Sequence, residues 1–70
     1  MLDSPTFGRD LRALRKSRGL TLSDLATRMD RSVGWLSQVE RDISEPSMED
    51  IKRLAAILRV SVSAFFGPTP

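Results

Sequence analysis

Apolar residues recur three or four positions apart along this chain, and polar or turn-forming residues break the rhythm at short intervals. That spacing stacks side chains on one face of a helix, so the pattern predicts helices from end to end. Five segments read out. The first runs from Ser4-Pro5 to Arg18, with Pro tolerated at the first helical position and Gly19 as its stop. Phe7, Leu11 and Leu14 share one stripe of it, and Arg9, Arg12 and Lys16 lie opposite. Thr21 is the predicted cap of the second segment. Asp24 completes a capping box there, and Leu22, Leu25, Ala26 and Met29 make the apolar face. A third helix is expected over Val33–Arg41 behind Ser32. After a loop over Arg41–Pro46, Ser47 and Asp50 cap a fourth helix through Arg59, whose inward stripe is Met48, Ile51, Leu54, Ala55 and Leu58. Ser61 caps a short fifth helix, Val62–Phe66, closed by Gly67-Pro68. Val60–Ser63 alternates as a strand would, but four residues with no partner make no sheet. The predicted class is all-α.

The second and third helices carry the most information. Only Asp30-Arg31 separates Met29 from the Ser32 cap, too little chain for the helices to lie antiparallel. They must cross at a large angle, which is the helix-turn-helix unit, here about residues 21–41. On a helical wheel Trp35, Leu36 and Val39 form one apolar arc of the third helix. The opposite arc holds Val33, Gly34, Ser37, Gln38 and Arg41. A merely solvated face more often carries Lys and Glu, whereas this one is small and uncharged over its first half. Such a face suits close approach to another surface. The DNA major groove admits a helix, and there Gln can bond adenine bidentately, Ser can bond several bases, and Val33 could touch a thymine methyl. Gly34 costs about 1 kcal/mol of helix propensity against Ala, which favours a backbone that must come close to something. Trp35 reads as packing rather than a stacking platform. Glu40 borders the apolar arc and needs a cation; Arg15, flanking the first helix's stripe, is the candidate.

Composition narrows the function. Seventy residues allow one domain, 1–70, with a small core and about 3–5 kcal/mol of net stability. Cys, His and Tyr are all absent. Disulfides, the commonest metal ligands and the commonest general acid/base go with them. The nine carboxylates show no metal-loop spacing. No enzyme, metal or cofactor is expected. No apolar run approaches the ~20 residues of a membrane span, and Met1-Leu2-Asp3-Ser4-Pro5 has no signal-peptide pattern. A cytoplasmic protein with no membrane partner is the expectation. The net charge of +2 divides into +3 over residues 1–31 and −1 over 32–70, and nine of the eleven basic residues are Arg. Arginine's planar fork suits phosphates and base edges. An Arg-rich half fits an anionic partner, and fits a solvated helix face equally well.

The stretch Leu25-Ala26-Thr27-Arg28-Met29-Asp30-Arg31-Ser32-Val33-Gly34-Trp35-Leu36-Ser37-Gln38-Val39-Glu40-Arg41 resembles the helix-turn-helix of the xenobiotic-response-element family of bacterial and phage regulators, which includes lambda-type repressors and Cro. The flanks agree. Leu11–Thr21 is similar to that family's first helix, and Pro46-Ser47 with Ile51, Leu54-Ala55 and Val60-Ser61-Val62 to its last two. The resemblance covers about residues 7–67. It implies a five-helix, lambda-repressor-like domain that binds double-stranded DNA as a transcriptional regulator, with a repressor expected. By position it puts Val33, Gly34, Ser37 and Gln38 on bases, and Thr21, Leu22, Ser23, Ser32 and Arg41 on phosphates. It makes Arg15 and Glu40 the family's buried ion pair. The wording of Ser32–Glu40 is most similar to members followed by a small-molecule-sensing domain, often a cupin, so a C-terminal effector domain beyond this chain is a further expectation.

Three departures stand out. Leu22 replaces a Gln that reaches a phosphate in many members. Asp30 replaces the usual Gly of the turn, and Asp42 another Gly beside the expected clamp, with Glu45 nearby. Two acids beside a DNA backbone should weaken or re-aim the clamp, so dimerisation should matter for affinity. A homodimer on a palindrome with half-sites about 34 Å apart is expected, with Ile57, Val60, Phe65 and Phe66 as candidate dimer contacts, though the two Phe also suit the bottom of the core. The alternative is a protein-interaction module of antitoxin or anti-repressor type using the same face, supported by Asp42, Glu45, Val33, Trp35 and Ile43.

Overall fold

A computed structural model describes residues 7–65 as four α-helices followed by a single 3-10 turn. The helices are α1 (Phe7–Ser17), α2 (Leu22–Met29), α3 (Val33–Glu40) and α4 (Met48–Leu58), and the 3-10 turn is Val62–Phe65. There is no strand among the described residues. The all-α class therefore holds, but the fifth helix is corrected to a 3-10 turn. The element has only four residues, Val62–Phe65, and the tighter 3-10 turn is the usual form at that length. The expected start at Ser4-Pro5 and the end at Gly67-Pro68 lie outside the described residues.

Local chemistry sets the helix limits. The Asp24 amide donates to Thr21 Oγ1 at 3.0 Å and the Thr21 amide donates to Asp24 Oδ2 at 2.9 Å, a complete capping box. Ser47 and Asp50 repeat it at α4, at 3.1 and 3.2 Å. At α3 the Trp35 amide donates to Ser32 Oγ at 3.0 Å. Three ends use the left-handed region without glycine: Asp30, Asp42 and Arg59 have φ of 59°, 60° and 62°. Asp30 thus adopts the conformation that glycine would supply at no steric cost.

The core joins Leu11 of α1, Leu25 and Met29 of α2, Leu36 and Val39 of α3, Leu54 and Leu58 of α4, and Phe65. Met48 does not join it; at 53% exposure it starts α4 beside an open loop, so the wheel's inward assignment is corrected. Phe65 is 2% exposed and its ring lies 5.1 Å from that of Phe7, which makes it a core residue and not the free dimer contact expected of it. Ile57 and Val60 are half-buried against the same core, and Phe66 falls outside the described residues. Gly8 lets α1 press on α3, since a Cβ there would stand 2.4 Å from the Glu40 carbonyl oxygen. No described helix is long and apolar enough to cross a membrane.

Candidate nucleic-acid interface

The surface of interest is built outward from one buried ion pair. Arg15 and Glu40 are 7% and 9% exposed, and Arg15 Nε donates to Glu40 Oε2 at 2.7 Å while Nη2 donates to Oε1 at 3.1 Å. The third nitrogen, Nη1, donates to the Leu20 carbonyl at 2.8 Å. Every guanidinium nitrogen thus has an acceptor, the condition under which a buried charge is tolerable. The pair pins the C-terminal end of α3 to α1 and to the chain entering α2. It thereby sets the angle at which α3 is presented.

Beside it lies an open cleft of about 240 Å³ lined by Arg12, Arg15, Leu22, Ser37, Glu40 and Arg41. Leu22, Ser37 and Arg41 meet there, so the start of α2 and the C-terminal half of α3 share one surface. Arg12, exposed on α1, completes it. On the sequence Arg12 lies with Arg9 and Lys16 opposite the apolar stripe, and nothing local shows that α1 and α3 bring it to the cleft with Arg41. The first-turn amides of Leu22 and Ser23 are of the kind that no intrahelical carbonyl reaches. Thr21 and Ser32, both exposed, spend their hydroxyls on capping. The Thr21 backbone amide, followed by its hydroxyl, holds the Asp24 carboxyl below its ordinary pKa, so this helix start carries a carboxylate of its own.

On α3, Val33, Gly34 and Gln38 are exposed and Ser37 is half-buried in the cleft. Val33 is 44% exposed. A Cβ on Gly34 would meet nothing nearer than Ser32 Oγ at 4.0 Å, so the fold itself has no need of a glycine there. Trp35 is half-buried against the core, and the Arg31 guanidinium carbon sits 4.5 Å from its ring centroid. Arg31 Nη2 also donates to both oxygens of Asp50, at 3.0 and 3.1 Å. Burial pushes the Asp50 carboxyl up, but the Ser47 amide and hydroxyl and the Arg31 charge outweigh it and leave the pKa lowered.

Several of the basic side chains in residues 1–31 are occupied within the fold. Arg18 Nε donates to the Leu58 carbonyl at the end of α4 at 2.8 Å, and Arg15 and Arg31 are paired as described. Part of the arginine excess in residues 1–31 is therefore structural, while Arg9, Arg12, Lys16 and Arg28 stay exposed. The acid Asp42 is likewise spoken for. Its Oδ1 accepts from the Gly8 amide at 3.0 Å, capping the start of α1 from the far side of the sequence. Glu45 lines a separate, larger groove with Phe7, Ile43 and Met48.

Two short helices crossing at a three-residue turn, the second offering a small polar face, define a helix-turn-helix domain. A helix-turn-helix domain profile matches residues 6–64, and the chain belongs to that family. It is 37% identical over 62 residues to the immunity repressor protein of Bacillus phage phi105, covering 89% of this chain and 43% of that protein. It is 34% identical over 57 residues to the transcriptional regulator SinR of Bacillus subtilis, covering 80% and 51%. The structure superposes on SinR in complex with DNA with a TM-score of 0.81 at 31% identity, over 87% of this chain and 98% of that one. The restriction-modification controller protein C.AhdI from Aeromonas hydrophila gives 0.83 at 31% identity, over 89% and 94%. The chain spans about half or less of the length of the two sequence relatives.

Proposed function

We propose that this chain is a sequence-specific DNA-binding domain of a transcriptional regulator, docking α3 in the major groove and acting as a homodimer on a palindromic site. The observation that carries it is the exposed face of α3. Val33, Gly34 and Gln38 make a surface that is small and hydrogen-bonding, and Gly34 sits where the fold would accept a side chain. Ser37 reaches the same groove from the edge of the cleft. The flanking elements supply phosphate contacts: the amides at Thr21, Leu22 and Ser23, the Ser32 cap, and Arg41. The Arg15–Glu40 pair acts through orientation, since neither charge reaches the surface. The likeness to SinR, solved with DNA, supports the reading. Ile57 and Val60 remain the dimer contacts proposed among the described residues.

The protein-interaction alternative keeps the exposed Val33, Ile43 and Glu45 but is weakened at its other two supports. Asp42 Oδ1 is engaged by the Gly8 amide, and Trp35 is packed against the core with Arg31 over its ring. The test is selection from a random duplex pool at one stated salt concentration, followed by binding of the Gln38→Ala variant to the recovered site. Loss of a base contact should weaken binding by about 1–3 kcal/mol. Unchanged affinity would remove Gln38 from the reading surface. Binding that ignores salt would remove the phosphate contacts, because counterion release is their signature.

A further inference from the structure

The arginines of α1 are used in different ways. Arg15 is spent on Glu40 and the Leu20 carbonyl, and Arg18 on the Leu58 carbonyl. Arg12 is exposed, as is Arg41 at the end of α3, and among the described residues neither side chain makes a hydrogen bond or an ion pair. Yet Arg12 is not simply one of a solvated stripe. It stands three positions before Arg15, a spacing that makes the two neighbours on the helix surface. Both line the cleft that Ser37 and Arg41 enter from the other side of the α1–α3 contact, whereas Arg9 and Lys16 do not.

The charges in this cleft suit an anion. Its one acid is Glu40, and both of that carboxylate's oxygens are taken by Arg15, at 2.7 and 3.1 Å. The pair cancels itself, and it leaves Arg12 and Arg41 without an acid to answer them. What the cleft offers to a ligand is therefore two guanidinium groups from different parts of the fold, with the Ser37 hydroxyl between α1 and α3 as a further donor. Like charges gathered in one concavity raise its positive potential. The planar fork of each guanidinium matches the oxygens of a phosphate.

Resting on the DNA-binding reading above, we propose that this cleft seats a phosphate of the DNA backbone and that Arg12 grips it together with Arg41. Arg12 thereby ties α1 to the backbone beside the groove that α3 enters. It contributes affinity and register but no base preference, as contacts to phosphate do.

The experiment titrates parent, Arg12→Gln, Arg12→Lys and Arg9→Gln chains with the duplex selected by the parent, at several salt concentrations, with far-UV circular dichroism on each. Arg12 is exposed, so all four chains should show the same helical spectrum. Arg12→Gln should bind about tenfold more weakly, the scale of a hydrogen bond to a charged group. The slope of log K against log salt should become shallower by about 1, while a repeated selection returns the parent's motif. Arg12→Lys keeps the charge and should keep the slope. Arg9→Gln removes the same charge from the same helix outside the cleft and should also keep the slope. Parent-like affinity and slope in Arg12→Gln overturn the phosphate seat and leave the DNA reading intact. Equal losses in Arg9→Gln and Arg12→Gln overturn it too, by assigning the effect to the overall charge of α1. A different motif recovered by Arg12→Gln would make Arg12 a base reader and overturn its role on phosphate. A parent that neither enriches a motif nor binds duplex overturns the DNA reading and this inference with it.

Discussion

Replacing Gly34 by alanine should move stability and DNA affinity in opposite directions. Gly34 is the second residue of α3, it is exposed, and an added Cβ would find open space on the protein side, with Ser32 Oγ at 4.0 Å. Alanine restricts the unfolded chain and favours the helix by about 0.5–1 kcal/mol at such a site. For a domain of 60–100 residues each kcal/mol is worth about 4–8 °C of Tm, so the variant should melt about 2–8 °C higher. In the proposed docking, the new methyl group would stand where the helix backbone approaches the groove. Forcing a methyl into packed space costs about 1–3 kcal/mol, so binding to the selected site should weaken about fivefold or more. Thermal melts by circular dichroism and titrations at fixed salt measure the two quantities on one preparation. A variant that is stabilised and binds as tightly as the parent would refute close approach at Gly34. One that melts lower would show that the glycine serves the fold after all.

Other expectations follow from the buried contacts. Glu40→Ala leaves Arg15 charged and buried, which should cost about 3–5 kcal/mol and unfold most of a domain this small. The double variant Arg15→Met with Glu40→Leu should recover most of that loss in urea titrations followed by Trp35 fluorescence, and equal loss in both would point to packing rather than charge. Gly8→Ala would put a Cβ 2.4 Å from the Glu40 carbonyl oxygen and 2.6 Å from that of Val39, forcing α1 off α3 at a cost of about 1–3 kcal/mol in a thermal melt. Asp50, with its pKa lowered from 3.8, contributes stability that is fully present above that unfolded value and is lost as pH falls through the lower folded value. Stability measured from pH 6 downward should therefore fall less steeply near and below about pH 4 in Asp50→Asn than in the parent, and identical acid slopes would assign that loss to other carboxylates.

What the sequence made legible was whatever is local. Thr21 with Asp24, and Ser47 with Asp50, announce helix starts within four residues, and both boxes form. The helix-turn-helix was legible because two residues between Met29 and Ser32 permit no other path. Position on a helical wheel was a weaker guide at ends, where a residue such as Met48 has the right angle but no neighbour above it. Contacts between distant segments were hidden. Arg31 to Asp50, Arg18 to the Leu58 carbonyl and Gly8 to Asp42 depend on where the helices come to rest, and a charge tally along the chain shows none of these contacts. That Gln38 lies on the exposed arc of α3 was legible, while its contact with Ser44 required the loop's left-handed turn at Asp42.

The two helices of the reading unit are eight residues each. Helices shorter than about 12–15 residues are marginal in water by themselves, and here Leu25, Met29, Leu36 and Val39 are buried against the rest of the molecule. The surface proposed to meet DNA thus exists only while the whole core does, and folding and binding would become linked equilibria. A duplex present at a hundred times its Kd would add about 2.7 kcal/mol to stability, much of what a domain of this size possesses. The converse also holds: a substitution deep in α4, far from any base, would register as weaker occupancy once the unfolded fraction became appreciable. Site occupancy in such a protein reports the integrity of its core as well as the identity of the DNA.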